Sequence, residues 1–301
     1  MLKGARDIYL SAVYPGVHYA LQRRGAANTA LPRPIRFGDV GGRGFMVRTW
    51  VNGSGPYDFA VDTGAGATII SRRVAAEARV ALDGGAINIS GLSGRSAASG
   101  RKAFVRALSA GDPDNTLPAK GLFIVADGLP HGVDGVLDPT EVFWPLGYVI
   151  DIPDGRISAF DPRTNPLRRS EAPANGAVVP WLMDGTSRRP FVLLDGGRRA
   201  LLDTGSGFGL AVTENSAAAI GIAVDQGRMR EGAHDLGGGR IEARRIRPAT
   251  VHVGSLALRG VPTDLLLGAN PNSPVLLGRD ALRPFQITFD PVNRLIKLQA
   301  P

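Results

Sequence analysis

The feature of this sequence that most constrains its fold is a tripeptide that occurs twice, nearly half a chain apart. Asp62-Thr63-Gly64 and Asp203-Thr204-Gly205 each follow a short apolar run, and each is followed by a small residue and a glycine. A single copy is easily explained, because Asp and Gly are common in β-turns. That explanation does not account for two copies, 141 residues apart, in matching surroundings. The repeat therefore indicates an internal duplication.

The segments around the two tripeptides also match. Upstream of each lies an apolar run with a hairpin signal, Asn52-Gly53 in the first half and Gly196-Gly197 in the second. Downstream of each lies an alanine-rich stretch, from Arg72 to Val80 and from Glu214 to Ile220, which predicts a short helix. The remaining short apolar runs are broken by Gly, Pro, Asn and Asp, and this pattern predicts an all-β architecture.

The duplication predicts two units of about 130 residues, a typical domain size. A segment from Pro162 to Pro173, rich in proline and arginine, lies between them and is interpreted as a linker. The predicted division is an N-terminal extension at 1–36, a first lobe at 37–161, a linker at 162–176 and a second lobe at 177–301.

Composition excludes several classes of site. The chain has no cysteine, which excludes disulfides, thiolate zinc sites, iron–sulfur clusters and a cysteine nucleophile. Its four histidines lie far apart, so no metal and no cofactor are expected. The net charge is +8, but the arginines are scattered and aromatic residues make up only 6%. Nucleic-acid surfaces cluster such residues, so nucleic-acid binding is not expected.

A glycine-rich run from Gly205 to Gly209 offers a competing interpretation as a nucleotide-binding loop. The dinucleotide fingerprint needs a different spacing of its third glycine, and it opens a helix within a βαβ unit. Here Asp203 and Thr204 precede the glycines and the surroundings are β-rich, so this interpretation is disfavoured.

The N-terminal segment does not resemble a membrane anchor, because no run approaches the ~20 apolar residues that cross a bilayer. The stretch from Ile8 to Leu21 is mildly apolar, but Pro15, Gly16 and His18 interrupt it. It is interpreted as a loose extension rather than a secretory signal.

The repeated tripeptide suits one kind of chemistry. An apolar strand that ends in Asp-Thr-Gly buries its carboxyl near the sheet end, and the glycine permits a tight turn. If the two units pair about a pseudo-twofold axis, Asp62 and Asp203 meet and share one proton. One carboxyl can then take a proton from water while the other donates to a substrate carbonyl, which is amide hydrolysis without metal or thiol.

On these paired motifs the sequence resembles a retropepsin-like aspartic protease, of the bacterial kind with two such lobes fused in one chain. The resemblance covers residues 40–300 and implies an all-β fold of two pseudo-twofold-related β-barrel lobes with short helices. It implies catalytic roles for Asp62 and Asp203. The same resemblance implies supporting roles for the residues next to the aspartates. Thr63 and Thr204 hydrogen-bond across the twofold axis, and Gly64 and Gly205 complete the loops. The Ser206 hydroxyl bonds an outer carboxylate oxygen, and Ala65 occupies the matching position in the first loop.

The family also has a hydrophobic-hydrophobic-Gly motif behind each Asp-Thr-Gly loop. Leu276-Leu277-Gly278, followed by Arg279 and Asp280, fits this motif. In the first half, Val136-Leu137-Asp138 has Asp where glycine is expected, and Pro139 follows. Asp138 is therefore expected to disturb the packing of the first lobe or to bring a third carboxylate near the site.

Flaps are expected some thirty residues after each tripeptide. Glycine-rich segments occupy both places, and such hairpin tips suit closure over an extended peptide. An ordinary surface loop is the alternative interpretation. The predicted substrate-binding residues are Leu92, Ser93 and Gly94 in the first flap and Gly237, Gly238 and Gly239 in the second.

The sequence thus predicts an aspartic endopeptidase that acts on protein or peptide substrates as a bilobal monomer. The alternative is a catalytically inactive peptide-binding or scaffold protein on the same fold, since fold does not guarantee activity. The resemblance favours an exported, periplasmic or membrane-associated location, although the chain carries no clear signal for one.

Overall fold

The computed structural model describes residues 31–41, 43–90, 97–118, 122–184, 187–230, 240–271 and 273–300. Within these ranges the chain is mostly β-strand with four short α-helices, as the sequence predicts. In these same ranges no helix is long and apolar enough to cross a membrane.

The strands, in chain order, are β1 (Ile35–Arg36), β2 (Gly38–Val40), β3 (Gly44–Val51), β4 (Ser54–Val61), β5 (Ile69–Ser71), β6 (Ala81–Ser90), β7 (Ala97–Phe104), β8 (Leu108–Ala110), β9 (Leu122–Ala126), β10 (Gly135–Leu137), β11 (Gly147–Asp151), β12 (Arg156–Phe160), β13 (Gly176–Pro180), β14 (Leu182–Asp184), β15 (Ser187–Leu193), β16 (Arg199–Asp203), β17 (Leu210–Val212), β18 (Arg228–Arg230), β19 (Glu242–Val253), β20 (Leu256–Leu267), β21 (Val275–Gly278), β22 (Gln286–Asp290) and β23 (Leu295–Gln299). The helices are α1 (Arg72–Glu77), α2 (Pro139–Val142), α3 (Glu214–Ala219) and α4 (Arg279–Leu282), with 3-10 turns at Arg169–Glu171 and Asp195–Gly197.

Two of the three sheets repeat one strand order. A nine-stranded sheet runs β2-β3-β4-β10-β5-β9-β7-β6, with β8 paired to β3, and an eight-stranded sheet runs β14-β15-β16-β21-β17-β20-β19-β18. We call the nine-stranded sheet with α1 and α2 the first lobe, and the eight-stranded sheet with α3 and α4 the second lobe. In each, the strand that leads to Asp-Thr-Gly pairs in parallel with the later strand β10 or β21. The repeated order is the structural counterpart of the sequence duplication.

Local sequence explains the matching turns and helices. Asn52 and Gly53 both have positive φ, 51° and 83°, which suits the tight turn between β3 and β4. Ser71 and Thr213 cap α1 and α3 by accepting hydrogen bonds from backbone N–H groups of the first turn. Both helices lie within the predicted helical stretches, so those predictions are confirmed.

A six-stranded sheet, ordered β1-β12-β11-β22-β23-β13, joins the two lobes. Its central pair, β11 with β22, brings together one strand that follows each lobe, and the Tyr148 and Phe289 rings stack there at 4.6 Å. One cluster of buried apolar side chains includes Phe59, Ile150 and Leu277, and so continues from one lobe through this sheet into the other. Strand β1 lies at the end of the predicted N-terminal extension. The domain boundaries themselves remain a prediction.

Candidate active site

The two Asp-Thr-Gly loops begin where β4 and β16 end. The preceding residues, Phe59 and Val61 in one strand and Leu202 in the other, are buried. The Asp62 N–H donates to Leu137 O at 3.0 Å, and Asp203 is paired in register with Gly278. The parallel strands β10 and β21 therefore hold each aspartate at the end of an apolar strand, as the sequence predicts.

The two threonines connect the loops to each other. The N–H of each donates to the hydroxyl of the other at 3.1 Å. Each hydroxyl also donates to a backbone carbonyl of the opposite lobe, Thr63 to Leu202 at 2.6 Å and Thr204 to Val61 at 3.0 Å. Since both side chains are almost completely buried, these four bonds satisfy polar groups that water cannot reach. They relate the loops by the pseudo-twofold axis that the resemblance implies.

Each carboxyl faces the glycine of the other loop. A Cβ atom added to Gly64 would lie 2.6 Å from Asp203 Cγ, and one added to Gly205 would collide with the Asp62 carboxyl. Asp62 Oδ1 accepts the Gly64 N–H at 2.8 Å, and Asp203 Oδ1 accepts the Ser206 N–H at 3.0 Å. Glycine is required at both places because the aspartates approach the opposite backbone this closely.

The two aspartates differ in their electrostatic surroundings. Burial raises the pKa of Asp62 well above its usual range, and the neighbouring carboxyls of Asp203 and Asp138 raise it further. Burial also raises the pKa of Asp203, but the hydrogen bond with Asp62, the Ser206 N–H and the Arg279 cation oppose that rise. Two neighbouring carboxyls ionise one at a time, because the second charge would lie beside the first.

Arg279 is a residue of the site to which the sequence analysis gave no role. Its Nη1 donates to Thr204 O at 3.0 Å and to Gly205 O at 2.8 Å, and its guanidinium lies over the Phe45 ring of the first lobe, 5.8 Å from the centroid. The sequence signal that could have identified Arg279 is its position directly after Gly278 of the hydrophobic-hydrophobic-Gly motif. The structure adds that its charge lies beside the second loop.

Asp138 brings a third carboxyl beside Asp62, as the sequence analysis expected. The residue is completely buried and caps α2, with Oδ1 accepting both the Thr140 N–H and hydroxyl. At the matching place in the second lobe, a Cβ on Gly278 would lie 2.8 Å from Ser206 O. The first lobe therefore accommodates a side chain where the second lobe has room only for glycine.

The remaining predicted site residues are Ala65, Ser206 and the six flap residues. Ala65 is buried in the first loop. Ser206 contacts Asp203 through its N–H, while its hydroxyl accepts the Phe208 N–H at 3.3 Å. The predicted flap residues Leu92, Ser93, Gly94, Gly237, Gly238 and Gly239 lie outside the described residues. In the part of the chain that the structure describes, no cluster of three or more His, Asp or Glu side chains is placed to hold a metal ion.

Comparison with known proteins agrees with this geometry. A model of the aspartyl protease family matches the chain twice, over residues 47–137 and 195–281. A search of curated proteins finds no match. The two matched regions include both Asp-Thr-Gly loops and cover more than half of the chain. The chain therefore belongs to the aspartyl protease family, in its retropepsin-like form with two lobes fused in one polypeptide.

Proposed function

We propose that this protein is an aspartic endopeptidase in which Asp62 and Asp203 act as a pair on a peptide bond. The observation that carries the proposal is the placement of the two carboxyls at the ends of matching strands, each against the glycine of the opposite loop. Burial raises the pKa of both. Such a pair retains one proton over a range of pH in which an isolated aspartate has lost its own.

The chemistry follows from that shared proton. The ionised carboxyl takes a proton from a water molecule, whose oxygen attacks the peptide carbonyl carbon, while the protonated carboxyl donates its proton to the carbonyl oxygen. The resulting tetrahedral diol loses a proton from one hydroxyl as the C–N bond breaks and the nitrogen gains a proton. The products are an acid and an amine, and the pair again holds one proton. Because both aspartates belong to one chain, a single copy supplies the complete pair.

The test is cleavage of a peptide library by the wild type, Asp62→Asn and Asp203→Asn from acid to mildly alkaline pH, read by mass spectrometry. Each variant is expected to lose turnover at least about a thousandfold, because an amide can neither take the proton from water nor deliver a carboxyl proton to the carbonyl oxygen. We expect wild-type activity to be highest on the acid side and to fall as the shared proton is lost. Asp58→Asn, at an exposed position on β4, the strand that leads to Asp62, is the matched control and keeps full activity.

Retained cleavage in either folded variant would contradict the assignment of the pair. Absence of cleavage by folded wild-type protein at every pH would instead favour a peptide-binding protein without catalytic activity.

A further inference from the structure

The first lobe contains a buried carboxyl that the proposed reaction does not use. Asp138 follows β10 directly, and the last residue of β10, Leu137, pairs with Val61 and accepts the Asp62 N–H. The Asp138 carboxyl therefore belongs to the chain segment next to Asp62, at the position where the second lobe has Gly278. Its Oδ2 is buried and has no hydrogen-bond partner among the described residues.

The groups that face Asp138 are almost all acidic. Asp62 lies on one side, Glu141 follows on α2, and the Tyr148 hydroxyl of β11 is buried nearby and interacts with the Asp138 charge. The neighbouring cation, Arg188 of β15, is bound at 3.0 Å to Glu141 and stacks on Trp144. Ionised Asp138 thus has no cation of its own in the described structure, and its charge is opposed by those of Asp62 and Glu141.

Burial, followed by the Glu141 charge, raises the pKa of Asp138 to about 8, although the hydrogen bonds from Thr140 and the nearby Gly66 N–H oppose the rise. The second aspartate has the opposite surroundings, since Arg279 lies beside its loop and favours its ionised form. The two members of the pair are therefore chemically different, with an acidic neighbour on one side and a basic neighbour on the other.

We propose that Asp138 is a positioning residue that acts through Asp62: once the Asp138 carboxyl has ionised, its charge makes ionisation of Asp62 more costly, so that the pair keeps its proton on Asp62 into more alkaline solution. Asp203 is then the member that takes the proton from water, and Asp62 donates to the carbonyl oxygen. The catalytic part of this inference rests on the proposed function. The effect of Asp138 on Asp62 does not.

The experiment measures that effect directly. Protein labelled with 13C at the aspartate carboxyls is titrated by NMR, and Asp62→Asn and Asp203→Asn assign the signals of the pair. The wild type is expected to show three carboxyls with midpoints above the ordinary aspartate range, Asp62, Asp203 and Asp138. In Asp138→Asn the midpoint of Asp62 is expected to move to lower pH, because the neighbouring charge is gone.

Two further variants make the comparison specific. Asp138→Gly introduces the residue that the second lobe has at this place, and serves if Asp138→Asn does not fold. Asp151→Asn removes another buried carboxyl, one that lies in the six-stranded sheet and accepts a hydrogen bond from Gln286, and it leaves the Asp62 midpoint unchanged. An Asp62 midpoint that is the same with and without Asp138 overturns the proposal.

The same variants assayed for cleavage separate this proposal from the proposed function. If both hold, the alkaline limb of kcat/KM moves to lower pH in Asp138→Asn. A midpoint lower by about one pH unit gives a loss of about fivefold at the pH where the wild type is half active. If the Asp62 midpoint moves but no variant or wild type cleaves peptide, the proposed function fails and the role of Asp138 remains. If cleavage occurs and neither the midpoint nor the limb moves, only the role of Asp138 fails.

Discussion

The two lobes match most closely at the residues that touch across the pseudo-twofold axis and differ one strand behind them. Thr63 and Thr204 make the same pair of bonds in opposite directions. Behind them the first lobe has Asp138 and Pro139 where the second has Gly278 and Arg279. Because the two threonines hydrogen-bond to each other, a substitution at either one affects both loops. The strand behind each loop packs within its own lobe, so a substitution there can affect one lobe alone. The loops are therefore symmetric in geometry, while a carboxyl lies behind the first loop and an arginine lies behind the second.

The largest expected effect comes from giving the second lobe a side chain at the position where the first has one. Gly278→Ala is expected to lower the free energy of unfolding by about 2–4 kcal/mol, because the added Cβ meets the Ser206 carbonyl and hydroxyl. Denaturant unfolding measures this, with Gly38→Ala, whose Cβ meets nothing, as the control. Asp138→Gly is expected to cost less, since it removes an unfavourably buried carboxyl. Equal losses for the two would contradict the difference in packing.

The next effect tests the symmetric part of the site. Thr63→Val and Thr204→Val each remove a hydroxyl that both donates and accepts across the axis, and leave buried partners unpaired. Each is expected to lower the free energy of unfolding by about 2–3 kcal/mol, and by similar amounts. Thr164→Val, at an exposed hydroxyl, is the control and changes stability little. A loss confined to one of the two threonines would show that the loops are not equivalent.

The smallest effect concerns charge in the second lobe. The Arg279 cation lowers the pKa of Asp203, so Arg279→Met raises that pKa and the pair reaches its singly protonated form only at higher pH. The acid limb of kcat/KM is therefore expected to move to higher pH, while Arg279→Lys, which keeps the charge, moves it less. Profiles that shift equally in the two variants would mean that the guanidinium hydrogen bonds, and not its charge, are responsible.

The sequence predicted the parts of this molecule that local pattern and repetition determine. The tripeptide repeat led to the paired loops, the Asn-Gly turn to the β3–β4 hairpin, and the alanine-rich stretches to α1 and α3. Each of these depends on residues close together in the chain, or on two copies whose similarity is visible by itself.

Other features depend on partners far apart in sequence, and no local pattern marks them. Arg188 reaches Glu141 across 47 residues, and Gln286 reaches Asp151 across 135 residues in the sheet between the lobes. The closeness of the Arg279 cation to the second loop likewise depends on how α4 is placed. The unexpected Asp138 was visible in the sequence, but its complete burial and unpaired oxygen follow only from the packing of β10, α2 and β11.

The sheet that unites β11 with β22 has a consequence for how such a site can evolve. When two identical chains assemble a site, every substitution appears on both sides of it, and an acidic residue behind one loop is necessarily present behind the other. Covalent fusion removes that constraint and also keeps the halves together on dilution, because each is held at high effective concentration near the other. A fused chain can therefore acquire an acid on one side and a base on the other, and so assign different tasks to two aspartates that began as copies.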